Sequence, residues 1–207
     1  MRIVANIVAF VLSMVFYPLF VPTYGVALFC LTTQCPMEWA WIAIVGTLVF
    51  TCILPLSSIG ILIKAGKVKN IQISNAAERT MPYLYSTIGF AFWAYLMGHV
   101  LEAPSFLTIV SIGATVAIGG ITLINRWWKI SAHLTGVGGL LGGIFSYYIA
   151  IHSTPDWHLF LTLMLFSVVM MFARLRLNAH TSAQVAAGWL WGLFCTCIPN
   201  CIIAYVA

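Results

Sequence analysis

Long apolar runs separated by short polar connections set the pattern of this chain. A helix needs about 20 mostly apolar residues to cross the hydrocarbon of a bilayer. Seven stretches without a charged residue approach or exceed that length: Ile3–Phe29, Trp39–Ile63, Tyr83–Leu101, Ser105–Ile124, Leu134–Ile151, Trp157–Ala173 and Ala183–Tyr205. Only helices and closed barrels satisfy their backbone inside lipid. The pattern therefore predicts an all-α, polytopic integral-membrane helical bundle of about seven transmembrane helices. Pro18 and Pro22 predict a kink in the first stretch, and Pro199 a bend or an end in the last. Arg2 ahead of an apolar run resembles a signal peptide. The run is too long for an h-region and no small-residue cleavage site follows, so a retained first helix is expected.

The connections between these spans are short, which leaves residues 1–207 as a single integral-membrane domain. Pro36, Pro104 and Pro155 mark three turns that also hold Glu38, Glu102 and Asp156. Alternating the spans across the membrane puts those turns on one side. All nine Lys and Arg fall on the other, with Glu78 as the only acid among them. Composition agrees: 62% of the 207 residues are hydrophobic and 6% charged, against about 25% charged in soluble domains. A water-soluble fold, a disordered chain and a coiled coil are excluded. No nucleic-acid partner is expected; membrane lipids are. The positive-inside rule turns the basic face to the cytoplasm of a plasma (inner) membrane. The six cysteines form no C-x-x-C pair and read as small buried hydrophobes.

Three connections on the basic face carry more polar residues than topology requires. The first runs from Gln72 through Glu78 and Arg79 to Pro82, the second from Arg126 through Lys129 and Ser131 to His133, and the third from Arg174 through His180 to Gln184. They share one membrane face and can converge on one pocket. Arginine offers a planar fork of donors that suits phosphate oxygens. Ser131 and His133 open the fifth span and His180 the seventh, where free N–H groups and a partial positive charge favour anions. Two histidines can serve as nucleophile and general acid. Gln184, four residues after His180, shares its helical face and could orient the ring. Taken singly, a histidine at a helix start is a capping or interfacial residue, and Arg174 and Arg176 are topology charges. The repetition of the His–Arg pairing is what points to a site. Gly136, Gly139 and Gly143 in the fifth span, and Gly188 and Gly192 in the seventh, predict close approach of the two histidine-bearing helices.

At these positions the sequence resembles the PAP2 superfamily of lipid phosphate phosphatases, whose motifs are K-x6-R-P, P-S-G-H and S-R-x5-H-x3-D. The third motif corresponds to Ala173-Arg174, five residues, His180, three residues and Gln184, and the second to Ile130-Ser131-Ala132-His133. The first corresponds to Gln72, six residues, then Arg79 and Thr80. The resemblance implies a PAP2-like core over residues 69–207, preceded by two leading helices in residues 1–68. It implies that His180 attacks phosphorus to form a phosphohistidine and that His133 protonates the leaving alkoxide and then activates water. Arg79, Arg174 and Ser131 would hold the phosphate oxygens; Gln72 removes the family's lysine, and Lys69 or Lys129 is available to reach the phosphate in its place. The implied substrate is a lipid phosphomonoester or pyrophosphate, with no metal and no cofactor. His152, Asp156 and His158 lie on the opposite face and are not read as a metal site. Gln184 stands where the family has Asp, so the charge opposite an imidazolium is missing, and Glu78 is the available acid to replace it. A slow phosphatase, a shifted substrate and a phospholipid binder or transporter without catalysis all remain open. The resemblance implies an extracytoplasmic site, against the cytoplasmic one from charge.

Overall fold

The first apolar stretch does not fold as one helix. In the computed structural model, which describes residues 2–33, 35–71, 73 and 75–206, α1 (Arg2–Val15) stops ahead of Pro18. Helix α2 (Val21–Thr32) begins beyond it, with Pro22 in its first turn, where a missing N–H costs nothing. The expected kink is thus a full break over residues 16–20. With 14 and 12 residues, neither half alone reaches the ~20 of a full crossing. Past α1 the Leu12 and Met14 carbonyls still accept from the Phe16 and Tyr17 N–H groups, whereas the Ser13 carbonyl meets a side chain. Irregular backbone of this kind is tolerated in lipid only where it lines a cavity or is buried in protein.

Helices α3 (Met37–Leu48) and α4 (Leu54–Lys64) form one 28-residue rod, Met37–Lys64, through a π-helical turn at Val49–Ile53. Pro55 explains the turn: its ring would meet the carbonyl four residues back, and a widened turn moves that carbonyl aside. The chain continues with α5 (Thr80–Tyr95), prolonged by a π turn at Leu96–Val100, then α6 (Ser105–Ile124), α7 (Ala132–Ala150), α8 (Trp157–Arg176) and α9 (Ser182–Val206). Helix α9 runs through Pro199 without ending. No strand occurs among the described residues. Among the described residues three helices, Met37–Lys64, α6 and α8, are long and apolar enough to cross a membrane. Their outward residues include Ile61, Val116, Leu161, Leu165 and Phe172, all exposed, as a lipid-facing surface requires.

Helix α7 occupies the centre, against α2, α6, α8 and α9. Its seam with α9 is the closest in the molecule. A Cβ on Gly138 would strike the Trp189 carbonyl, one on Gly142 the Leu193 carbonyl and one on Gly192 the Thr135 carbonyl. On Gly188 it would lie 2.6 Å from the Ser131 carbonyl oxygen. Thr196 Oγ1 adds a hydrogen bond of 2.9 Å across the seam to the Gly139 carbonyl. Close approach of α7 and α9 was expected, but the glycines responsible on α7 are in part different ones. Gly136 faces Val21 and Gly143 faces Val110, so the seam runs through Gly138, Gly139 and Gly142. On the outer side α1 packs on α8, with the Phe16 and Phe166 rings 4.4 Å apart.

Since a methyl at Gly192 has backbone in its way, Gly192→Ala should destabilise the protein by about 1–3 kcal/mol. Its melting temperature in detergent should fall by roughly 2–4 °C for each of these. Gly60→Ala, with open space around the new carbon, should be neutral or slightly stabilising. Equal melting temperatures for the two variants would contradict the tight seam.

Candidate active site

The α7–α9 seam fixes the start of α7 against the start of α9. The Ser131 N–H donates to the Gln184 carbonyl at 3.3 Å, and Gly188 sits against Ser131. Around this junction Arg79, His133, Arg174 and His180 line one cavity of about 60 Å³, room for several waters. Four residues from the three polar connections thus meet as expected. Tyr17 and Pro18 from the break in the first span, Ile73, and Tyr83 of α5 complete much of its wall.

Each ring is held in a defined orientation. His180 Nδ1 lies 3.2 Å from the Lys129 carbonyl oxygen and 3.3 Å from Gln184 Oε1. Both are acceptors, so Nδ1 carries the proton and Nε2 is left with a free lone pair. Gln184 has a second duty. Its Oε1 accepts from the Thr181 N–H at 3.1 Å while Thr181 Oγ1 accepts from the Gln184 N–H at 3.3 Å. This reciprocal pair is a capping box that starts α9. His133 Nε2 is 3.0 Å from the Ser13 carbonyl oxygen, one of those freed where α1 ends. A neutral His133 therefore donates from Nε2 and presents an unprotonated Nδ1.

The cations are less completely satisfied. Arg79 is buried and donates from Nε to the Ile73 carbonyl at 2.8 Å. Arg174 Nε and Ser131 Oγ are buried with no hydrogen-bond partner. None of the described residues lining the cavity is acidic. Buried charge without a counter-charge is costly, and a bound oxyanion would supply both the charge and the missing acceptors. Burial, then Arg174 and Arg79, lowers the pKa of His180 from 6.5 to about 4, so the ring is neutral at pH 7. Burial, then Arg79 and Arg174, also lowers the pKa of Lys129. Lys129 contributes its carbonyl to His180; its side chain is not part of the cavity wall. Ser131 is fully buried at the N-cap of α7, beside the cavity rather than on its wall.

Glu78 does not take the place foreseen for it. Its carboxylate accepts from the Lys69 N–H at 2.9 Å and from Asn75 Nδ2 at 3.3 Å, which ties down the loop before Arg79. Gln184, not Glu78, orients His180. Gln72 lies outside the described residues. At the other end of the bundle, Asp156 caps α8 by accepting from the His158 and Leu159 N–H groups, a structural duty. Sequence reasoning missed Tyr17, Tyr83, and the Ser13 and Ile73 carbonyls. Pro18 and Pro22 were the available signal, since a broken span exposes carbonyls. No protein-family model matches this chain, and neither a curated protein nor a solved structure matches it.

The ring ionisation can be read directly. Acylation of His180 by diethylpyrocarbonate, mapped by mass spectrometry, should follow the neutral imidazole with a midpoint near pH 4, against about 6.5 for an ordinary histidine. A midpoint at or above 6.5 would show that neither burial nor the two arginines act on this ring as described.

Proposed function

We propose that this protein is an integral-membrane lipid phosphate phosphatase with a PAP2-type core over residues 69–207, in a bundle of about seven spans. The observation that carries the reading is the convergence of Arg79, His133, Arg174 and His180 on one acid-free cavity, with two buried donors unpartnered. The substrate is a lipid phosphomonoester or pyrophosphate. Its phosphate sits between the two arginines; Ser131 lies beside the pocket, and Lys129 acts on it only through the carbonyl that meets His180 Nδ1. The excess of Lys and Arg at this end of the bundle favours a cytoplasmic-facing site in the plasma (inner) membrane.

The chemistry follows from the ring positions. His180 Nε2 donates its lone pair to phosphorus, and the bond from phosphorus to the lipid oxygen breaks. The departing alkoxide takes a proton from His133 Nδ1, whose imidazolium form the negative charge of the bound phosphate stabilises. Water then attacks the phosphohistidine, returns a proton to Nδ1 of His133, and releases phosphate and a neutral His180. Arg79 and Arg174 offset the charge on the non-bridging oxygens throughout. No group in this sequence needs a metal.

A second reading is favoured by Gln184: a phospholipid binder or transporter that uses the same pocket without turnover. A neutral amide fixes the tautomer of His180 but adds no charge against a developing imidazolium. In a serine protease, replacing the orienting Asp by Asn lowers the rate ~10⁴-fold, chiefly through the wrong tautomer. Here the tautomer is preserved, so a smaller loss is expected.

Phosphate release from phosphatidate in detergent with a chelator present separates the two readings. The phosphatase reading expects turnover, a loss of ~10³-fold or more in His180→Ala, and ~10²–10⁴-fold in His133→Ala. Full activity in His180→Ala would remove it as nucleophile, and binding without any turnover would establish the second reading. Gln184→Glu keeps the shape of the capping box and adds the charge. It should raise the rate by roughly tenfold, the worth of a charge-assisted over a neutral hydrogen bond. An unchanged rate would count against the role given to position 184.

A further inference from the structure

A second and larger cavity, about 130 Å³, lies inside the bundle between α2, α5, α6 and α7. Val21, Val26, Phe29, Phe90, Phe106 and Ile144 are typical of its wall, which carries no charged residue among those described. The hydroxyls that border it are occupied elsewhere. Thr51 donates to the Thr47 carbonyl, Ser111 to the Leu107 carbonyl and Thr135 to the Ser131 carbonyl, while Thr47 accepts from Trp93 Nε1. A space of this kind offers nothing to water and suits hydrocarbon.

Its position matters as much as its lining. Pro18, Leu19, Ile118 and Ala132 belong to the walls of both this cavity and the basic pocket. The two spaces therefore adjoin at the break in the first span and at the first turn of α7. One end is cationic and the other apolar, the complement of an amphiphile with an anionic head. Two helices measure the depth. On α7 the wall runs from Ala132 to Ile144, about 18 Å, and on α6 from Ile121 to Phe106, about 22 Å, at 1.5 Å per residue. Three chain bonds advance about 3.6 Å when extended, so about 15 carbons span the α7 side. The volume is close to the ~150 Å³ that holds one benzene ring, so the walls must part to admit the whole chain.

We propose that the apolar cavity holds the hydrocarbon chain of the same lipid whose phosphate occupies the basic pocket, so that the chain is threaded into the bundle rather than left on its lipid-facing surface. The inference rests on the phosphate reading of the basic pocket but not on turnover there. It also assigns a role to the leading spans: Val21, Val26 and Phe29 of α2 and Thr47 and Thr51 of the Met37–Lys64 rod form part of the cavity wall.

The probe is hexadecyl phosphate with a diazirine at the chain end, photolysed on the wild-type protein in detergent and mapped by mass spectrometry. Label should fall at the deep end, on Phe29, Phe106, Leu107 or Ile144. It should drop at least tenfold in Arg174→Ala, because the head anchors the chain. Ala114→Trp, which fills the cavity from α6, should remove the deep label. Label on outward residues such as Leu161, Leu165 or Phe172, or deep label indifferent to Arg174, would overturn the proposal. If Ala114→Trp does not fold, the wild-type map and the Arg174→Ala comparison decide it. Phosphate release is followed in parallel: its absence counts against the phosphatase reading alone, and the position of the label settles the chain.

Discussion

Everything at the candidate site depends on how closely α7 and α9 approach. In a bilayer no hydrophobic force drives helices together, so association comes from van der Waals contact and from hydrogen bonds that lipid cannot offer. Glycines at 138, 142, 188 and 192 let backbone meet backbone, and Thr196 bonds across the seam. The same contact places Ser131 under Gly188 and brings the Lys129 carbonyl to His180. A side chain at any of these glycines would shift α9 and carry His180 and Gln184 with it. The geometry of the His180 ring, the nucleophile of the proposed reaction, is thus set by residues that do not line the basic pocket.

The second constraint is electrostatic and arises from the first. Holding α5, α7, α8 and the loop before α9 together confines two guanidinium groups and two imidazoles to one small space. Mutual repulsion and desolvation keep the His180 ring neutral at pH 7. A neutral ring with its proton fixed on Nδ1 is a nucleophile, whereas an imidazolium is not. On the proposed reading, the repulsion that would destabilise an empty pocket is also what prepares it for a phosphate dianion.

Much of this arrangement was legible from residue pattern, and the gaps have identifiable causes. The helical class and the convergence of Arg79, His133, Arg174 and His180 follow from apolar run lengths and from charges gathered on one face. The split of the first span was visible only as Pro18 and Pro22, which foretell a bend but not its size. Whether a proline kinks or breaks a helix is decided by the partners its freed carbonyls find, and here Ser13 finds His133. Glu78 misled because sequence shows charge but not reach; the local turn of Asn75 to Arg79 uses its carboxylate first. The seam glycines were placed a residue or more away on α7, since a glycine-rich helix offers several small faces and only the neighbours select one.

Gln184 separates two functions that a carboxylate would combine. By accepting from Nδ1 of His180 and from the Thr181 N–H it fixes the ring and starts the helix, and a neutral oxygen suffices for both. What it does not supply is charge that grows in value as phosphorus bonds to Nε2 and the ring becomes cationic. The arginines cannot compensate, because they favour the phosphate oxygens before and after that bond forms and oppose the ring's new charge. Interactions equal in ground and transition states tighten binding without raising turnover. On the proposed phosphatase reading, a pocket built this way would grip a phosphate strongly and turn it over slowly. In the proposed function, the balance between holding and hydrolysing the lipid is therefore set by one side chain at position 184, whose shape is fixed by the capping box and whose charge is not.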